Sequence, residues 1–276
     1  MALLLDHLVL PVADLDVARA RLTALGFTVA PDGIHPFGTV NCCVYLPDGT
    51  FFEPLAVWDP ALAADAIRAG NVFVARDHVF RAAVGDEGLS AVVLATADAD
   101  ADHARFTEAG IAIGDVLTFS RDVVDAAGRK DVATFKLAFA GDPDVVDAFA
   151  FSCQRINAPK VDRAALQNHT NGVGSVSAII LADEARDYAR LIAEAAGGAV
   201  DKDEVRLGPV AVPCGGEAFA ADVRGSVHAI SFQVTEVVAT ADVLARNGIT
   251  HHMEGERIVV PPAPGQGVFF IFEASR

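Results

Sequence analysis

Four times along the chain, a run of apolar residues ends at an acidic side chain, passes into a stretch with helical spacing and closes near glycine. The first passage is His7–Val12, then Asp14 through Leu22 to Leu25-Gly26-Phe27. The second is Leu89–Leu94, then Asp98 through Phe106 to Ala109-Gly110-Ile111. The third runs from Val176–Leu181 through Asp183 and Ile192 to Gly197-Gly198. The fourth runs from His228–Phe232 through Glu236 and Leu244 to Asn247-Gly248-Ile249. Short apolar runs read as strands, and spacings such as Ala18, Leu22 and Leu25 read as helices with one buried stripe. Asp14, Asp98 and Asp183 stand where an acid favours helix initiation, and the glycines where a helix ends in the left-handed conformation.

Further strand patterns follow each glycine. In the first copy they are Phe27–Ala30, Thr39–Leu46 and Phe51–Val57, with Asp48-Gly49 as a hairpin turn. The second has Asp115–Arg121, Val132–Ala140 and Ala148–Cys153, and the fourth Arg257–Val260 and Val268–Glu273. The third is shorter, with Val205–Val212 and a weaker Ala218–Val223. The architecture expected is α+β, a βαβββ module used four times. The modules span 4–57 and 88–155 in an N-terminal half (1–157), and 175–224 and 226–274 in a C-terminal half (175–276). Within the connector 59–87 the spacing predicts a helix over Ala61–Ala69. The linker 158–174 carries Pro159 and the polar run Gln167–Gly172, which reads as a domain boundary.

Charge and cysteine usage narrow the field. A formal net charge of −16 repels phosphate backbones, so nucleic acid is not an expected partner. No apolar run approaches the roughly 20 residues needed to span a bilayer, and the first residues lack a basic leader, so a cytoplasmic protein is expected. Cys42, Cys43, Cys153 and Cys214 have no metal-clamp spacing and read as small buried hydrophobes. Phosphate-binding glycine loops, nucleophile elbows and HExxH are all missing from the sequence.

The opening Asp6-His7-Leu8-Val9-Leu10 and the closing Phe51-Phe52-Glu53-Pro54-Leu55-Ala56-Val57 of the first module resemble the vicinal oxygen chelate superfamily. Three further stretches resemble its bacterial glyoxalase-like members, of the glyoxalase, bleomycin resistance and dioxygenase type. They are His35-Pro36-Phe37-Gly38-Thr39-Val40-Asn41, Thr118–Arg121, and Phe151–Gln154 with His169–Gly172. The resemblance implies modules paired into two cup-shaped halves. It also implies a divalent metal (Zn, Fe, Mn or Ni) held between first and last strands, here by His7 and Glu53, with open positions for two substrate oxygens. Glu53 and His35 become the catalytic candidates, and Asn41, Arg121, Gln154 and His169 the substrate-binding ones. The second module departs from the pattern: Ser90 and Ala91 stand where its first-strand ligand would be, and Phe149–Cys153 has no carboxylate. In the C-terminal half, His228 and Glu273 make a partial set that Val176 leaves broken, which disfavours an extradiol dioxygenase.

The function expected is a metal-dependent lyase or isomerase of the glyoxalase type, acting on a small oxygen-rich molecule in the N-terminal cup. The alternative is a metal-free protein that binds or sequesters a small molecule. Modules of this superfamily pair within one chain or between chains, so a homodimer stands beside a monomer.

Overall fold

A computed structural model of the protein describes residues 2–124, 130–158, 164–215 and 223–275. The N-terminal half runs β1 (Leu4–Pro11), α1 (Leu15–Ala24), β2 (Gly33–Ile34), β3 (Thr39–Asn41), β4 (Val44–Tyr45), β5 (Phe51–Val57), α2 (Pro60–Arg68) and α3 (Val72–Ala83). It continues with β6 (Ala91–Thr96), α4 (Ala99–Ala109), β7 (Leu117–Val124), β8 (Lys130–Ala140) and β9 (Phe149–Asn157). The C-terminal half opens with β10 (Val173–Leu181), α5 (Arg186–Ala196), β11 (Val200–Asp201), β12 (Glu204–Leu207) and β13 (Val210–Pro213). It closes with β14 (Val227–Val234), α6 (Val237–Arg246), β15 (His252–Glu254), β16 (Arg257–Val260) and β17 (Phe269–Ala274).

Each half folds as one sheet. The first has the order β2-β3-β5-β1-β6-β9-β8-β7, with β4 also on β5; the second has β11-β12-β13-β10-β14-β17-β16-β15. Counted outward from the middle, every module therefore places its first strand innermost and its last strand next to it. First and last strands run parallel (β1 with β5, β6 with β9, β10 with β13, β14 with β17), and the two modules of each sheet meet antiparallel. This is the α+β architecture of paired βαβββ modules that the hydrophobic pattern predicts.

Asp14 and Asp98 cap as expected. The Asp14 carboxylate accepts from the backbone N–H of Asp16 and Val17, and Asp98 from Ala101. Asp14→Ala is expected to destabilise the fold by about 1 kcal/mol, read as a lowered urea midpoint with unchanged slope. Asp183 does not cap, since α5 begins only at Arg186 and no side chain caps it.

Several elements differ from the sequence pattern for physical reasons. Phe27–Ala30 is not a strand; the Phe27 ring instead packs edge-on to Phe52 and Phe232 in the shared core. Thr39–Leu46 splits into β3 and β4, because Cys42-Cys43 face the stretch of β5 containing Pro54, which has no N–H to give a ladder. Connector 59–87 holds two helices rather than one. The second, α3, is capped by Asn71 and buries Phe73, Val74, Asp77 and Phe80. Val205–Val212 is a hairpin that turns at Gly208, where φ is +66°. Pro159 and all of Ala218–Val223 except Val223 lie outside the described residues.

The two halves share one apolar core, and α5 is its main contributor from the C-terminal half. The Tyr188 hydroxyl accepts from Val92 N–H (3.1 Å) and donates to the Phe149 carbonyl (2.9 Å), joining α5 to β6 and to the start of β9. Arg105 on α4 donates to the Glu194 and Ala195 carbonyls, and Leu3 N–H to that of Ala196, so the N-terminal half caps the end of α5. The polar linker is equally well bonded. Gln167 donates to the Leu46 carbonyl, and Asn171 to that of Leu25.

Candidate functional site

The first sheet curls around a partly open cavity of about 50 Å³. Its polar floor comes mainly from the first module: His7 on β1, Asn41 on β3, Glu53 on β5, and His35 in the β2–β3 turn. Its walls are rings, namely Phe37 and Phe51, Phe73 from α3, and Phe119, Phe135 and Phe151 from the second module. Arg121 and Arg155 enter from β7 and β9.

Adjacent strand residues ordinarily face opposite ways, yet Asp6 and His7 are both buried and in contact. The register between β1 and β6 shifts between Leu5 and His7, a bulge that lets the neighbours meet. His7 Nδ1 and Asp6 Oδ2 are 2.6 Å apart, and Arg155 binds Asp6 with two nitrogens at 2.7 and 2.9 Å. The imidazole lies flat on Phe51, 4.3 Å between centroids. With Nδ1 committed to Asp6, Nε2 is aimed at Glu53 Oε2, 3.4 Å away.

The other Glu53 oxygen takes a 2.5 Å hydrogen bond from the Asn41 amide and faces His35 Nε2 at 3.8 Å. His35 Nδ1 lies 2.8 Å from the Thr39 hydroxyl, and its Nε2 lies 3.4 Å from the Asn41 amide nitrogen. Thr39 and Asn41, two apart on β3, thus both orient the His35 ring.

Burial and charge set the protonation states. Burial alone would lower the His7 pKa, but hydrogen bonds to Asp6 and Glu53 outweigh it and hold the pKa above the ordinary value. Glu53 behaves oppositely: burial pushes it up, and the His7 hydrogen bond, the nearby His35 and Asn41 bring it well below the usual carboxylate range. Asp6 is likewise held low by His7 and Arg155 against its burial. His35, fully enclosed and beside Arg121, is depressed to about 4 and stands neutral at pH 7. The Cys42 and Cys43 thiols are pushed up by burial to about 12.

The structure brings together His7, His35, Asn41, Glu53 and Arg121. Gln154 and His169 lie elsewhere. Gln154 points away from the cup and bonds the Ala99 N–H and Ala97 carbonyl at the start of α4. His169 accepts from Thr28 N–H and contacts the Tyr45 carbonyl through Nε2, tying the linker to the first module. In the C-terminal half, Glu273 pairs with Gln233, five residues along β14 from His228, and accepts from the Ser177 hydroxyl. Sequence reasoning missed Asp6, Arg155, Thr39 and the aromatic walls. Arg155 was within reach, since Phe151, Cys153 and Arg155 alternate on one face of β9.

The donor set is compatible with a divalent cation. Two ligands on one tetrahedral ion, with bonds of about 2.1 Å, sit roughly 3.4 Å apart; His7 Nε2 and Glu53 Oε2 have that separation. Asp6 behind His7 is the usual outer partner of a metal-bound imidazole. No group of three or more His, Cys, Asp or Glu able to hold a metal is found among the described residues.

A sequence profile described as "Glyoxalase-like domain" matches residues 5–196, more than half of the chain. The chain belongs to that family. Its fold, two sheets each built from a pair of βαβββ modules, is the one that the resemblance to the vicinal oxygen chelate superfamily implies. The glyoxalase-like match ends at the last residue of α5, the helix clasped by the N-terminal half. No curated protein matches in sequence. Among solved structures, a hypothetical protein from Staphylococcus aureus superposes with TM-score 0.67 at 12% identity, over 98% of this chain and 99% of that one. A mutant 4-hydroxymandelate synthase from Streptomyces coelicolor gives 0.59 at 11%, over 100% and 95%. The Mn(II)-bound glyoxalase from Novosphingobium aromaticivorans gives 0.51 at 10%, over 98% and 81%. At these identities the likeness is one of fold. No helix among the described residues is long and apolar enough to cross a membrane.

Proposed function

We propose that the N-terminal cup is the active site of a metal-assisted enzyme of the glyoxalase type, a lyase or isomerase acting on a small oxygen-bearing molecule. The observation that carries this reading is the aim of His7 Nε2 at Glu53 Oε2, 3.4 Å away, with the far side of each group fixed by Asp6 or Asn41. His7 and Glu53 would hold the cation, a role consistent with the Mn(II) named for one structural neighbour. A bound cation supplies Lewis-acid polarisation of a carbonyl or hydroxyl oxygen.

The remaining work falls to the chain's own groups. In the tautomer whose Nδ1–H donates to Thr39, neutral His35 would carry its lone pair on Nε2 at the cavity floor and accept a proton from substrate there. The phenylalanine walls exclude water, which strengthens every polar contact within.

Metal analysis of protein purified without chelator tests the proposal. Near-stoichiometric divalent metal is expected in wild type and a loss of most of it in both His7→Ala and Glu53→Ala. Wild type that stays metal-free after reconstitution with zinc, manganese, iron and nickel would overturn it. That result would favour the second reading, a metal-free binding protein, which has its own support: Asp6 with Arg155, and Glu53 with Asn41, already satisfy one another.

A further inference from the structure

The charges of the cup leave one group over. Asp6 is taken by Arg155, and Glu53 faces His7. Arg121 has no carboxylate within ion-pairing distance among the described residues, and its Nε is buried without a hydrogen-bond partner there. Its guanidinium stands over the Phe135 ring, 5.7 Å from the centroid. Arg121 and Phe119 lie two apart on β7, so both face the cavity.

The opposite sheet edge is shaped to receive this guanidinium. A Cβ on Gly33, in edge strand β2, would collide with Arg121 Nη1 and with Asn41 Oδ1. The backbone of Gly33 is not left-handed, so what a side chain there would disturb is the placement of these two side-chain ends rather than the strand. Arg121 thus spans from β7 to β2 and ends beside the Asn41–Glu53 pair. A half-buried cation with an open donor, ringed by phenylalanines, is completed by an anion with an apolar body.

We propose that the ligand of this cup is a small aromatic carboxylate, its carboxylate seated on Arg121 over Gly33 and its ring among Phe37, Phe119 and Phe135. The assignment rests on the cup being the binding site and names the class of molecule it takes. Gly33 is then a specificity-determining position, since a side chain there displaces the guanidinium and presses on the Asn41 amide beside it.

Benzoate and its neutral isostere benzamide, titrated calorimetrically into metal-stripped and metal-loaded protein, test this. Wild type is expected to bind benzoate about tenfold or more tightly than benzamide, in the stripped protein as well. Arg121→Gln should erase that preference while keeping benzamide affinity within about twofold. Gly33→Ala, which leaves the arginine in the chain, should reduce the preference in the same direction. Equal affinity of wild type for the two probes, binding of neither at millimolar concentration, or a preference that survives Arg121→Gln would overturn the proposal. Metal content read on the same samples keeps the two ideas apart. Metal without anion preference removes only the arginine seat, whereas anion preference in a protein that takes no metal removes only the metal reading.

Discussion

Tyr188→Ala is expected to destabilise the protein by about 3–5 kcal/mol, the range for deleting a fully buried aromatic side chain. Tyr188 has no exposed surface, and its ring fills the core shared by the two sheets. Its hydroxyl also completes the backbone bonding of Val92 and Phe149. Tyr188→Phe keeps the ring but strands a buried N–H and a carbonyl, at about 1–3 kcal/mol. Urea unfolding of both variants beside wild type checks this. A phenylalanine variant as stable as wild type would show that the hydroxyl bridge contributes nothing and that packing alone joins the halves. Because Tyr188 does not line the cup, ligand affinity at low temperature should be unchanged.

The second large effect is a loss of stability in mild acid, and it comes from His35. Its folded pKa is about 4 against 6.5 for the exposed side chain, because burial disfavours the charged ring and Arg121 adds to that. Between those values the unfolded chain binds a proton that the folded protein refuses, so stability falls as pH falls. For metal-stripped protein the loss between pH 6.5 and 5 should be about 1.5 kcal/mol. His7 does not mask it. With a raised folded pKa, its contribution is fully present below 6.5 and is lost only as pH rises through that raised value. Asp6 and Glu53, held low in the fold, add to the acid loss at still lower pH. Denaturant unfolding across this window, for wild type and His35→Gln, isolates the contribution. The variant should show a flatter profile, and parallel profiles would mean that His35 is not buried neutral.

What the sequence makes legible is whatever repeats at short range. Alternating apolar runs, the caps at Asp14 and Asp98 and the glycine-closed helices place every module. His7 and Glu53 were reached through the resemblance to the superfamily, which implies ligands on a module's first and last strands. What escapes is set by register and by neighbours distant in sequence. Gln154 looked like a cup residue until β9 was paired with β8, which turns it towards α4 while Cys153 and Arg155 face inwards. Asp6 was hidden by the bulge in β1, which no local pattern announces. Phe73 reached the cup on a helix whose short, mixed stretch carried no clean stripe. His169 and Asn171 stand in a polar linker where His169 reads as a substrate-binding candidate, yet each is buried because it satisfies backbone groups of another module.

The cup is built from two modules of like strand order but unlike chemistry. Every imidazole and carboxylate on its floor comes from the first, while the second brings rings, thiol and guanidinium. A flat prochiral molecule lying between them would show one face to the imidazoles and carboxylate and the other to a wall that holds neither. Proton transfer in such a chamber would be enantioselective, and the handedness of the product would follow from which of the two modules carries the histidines.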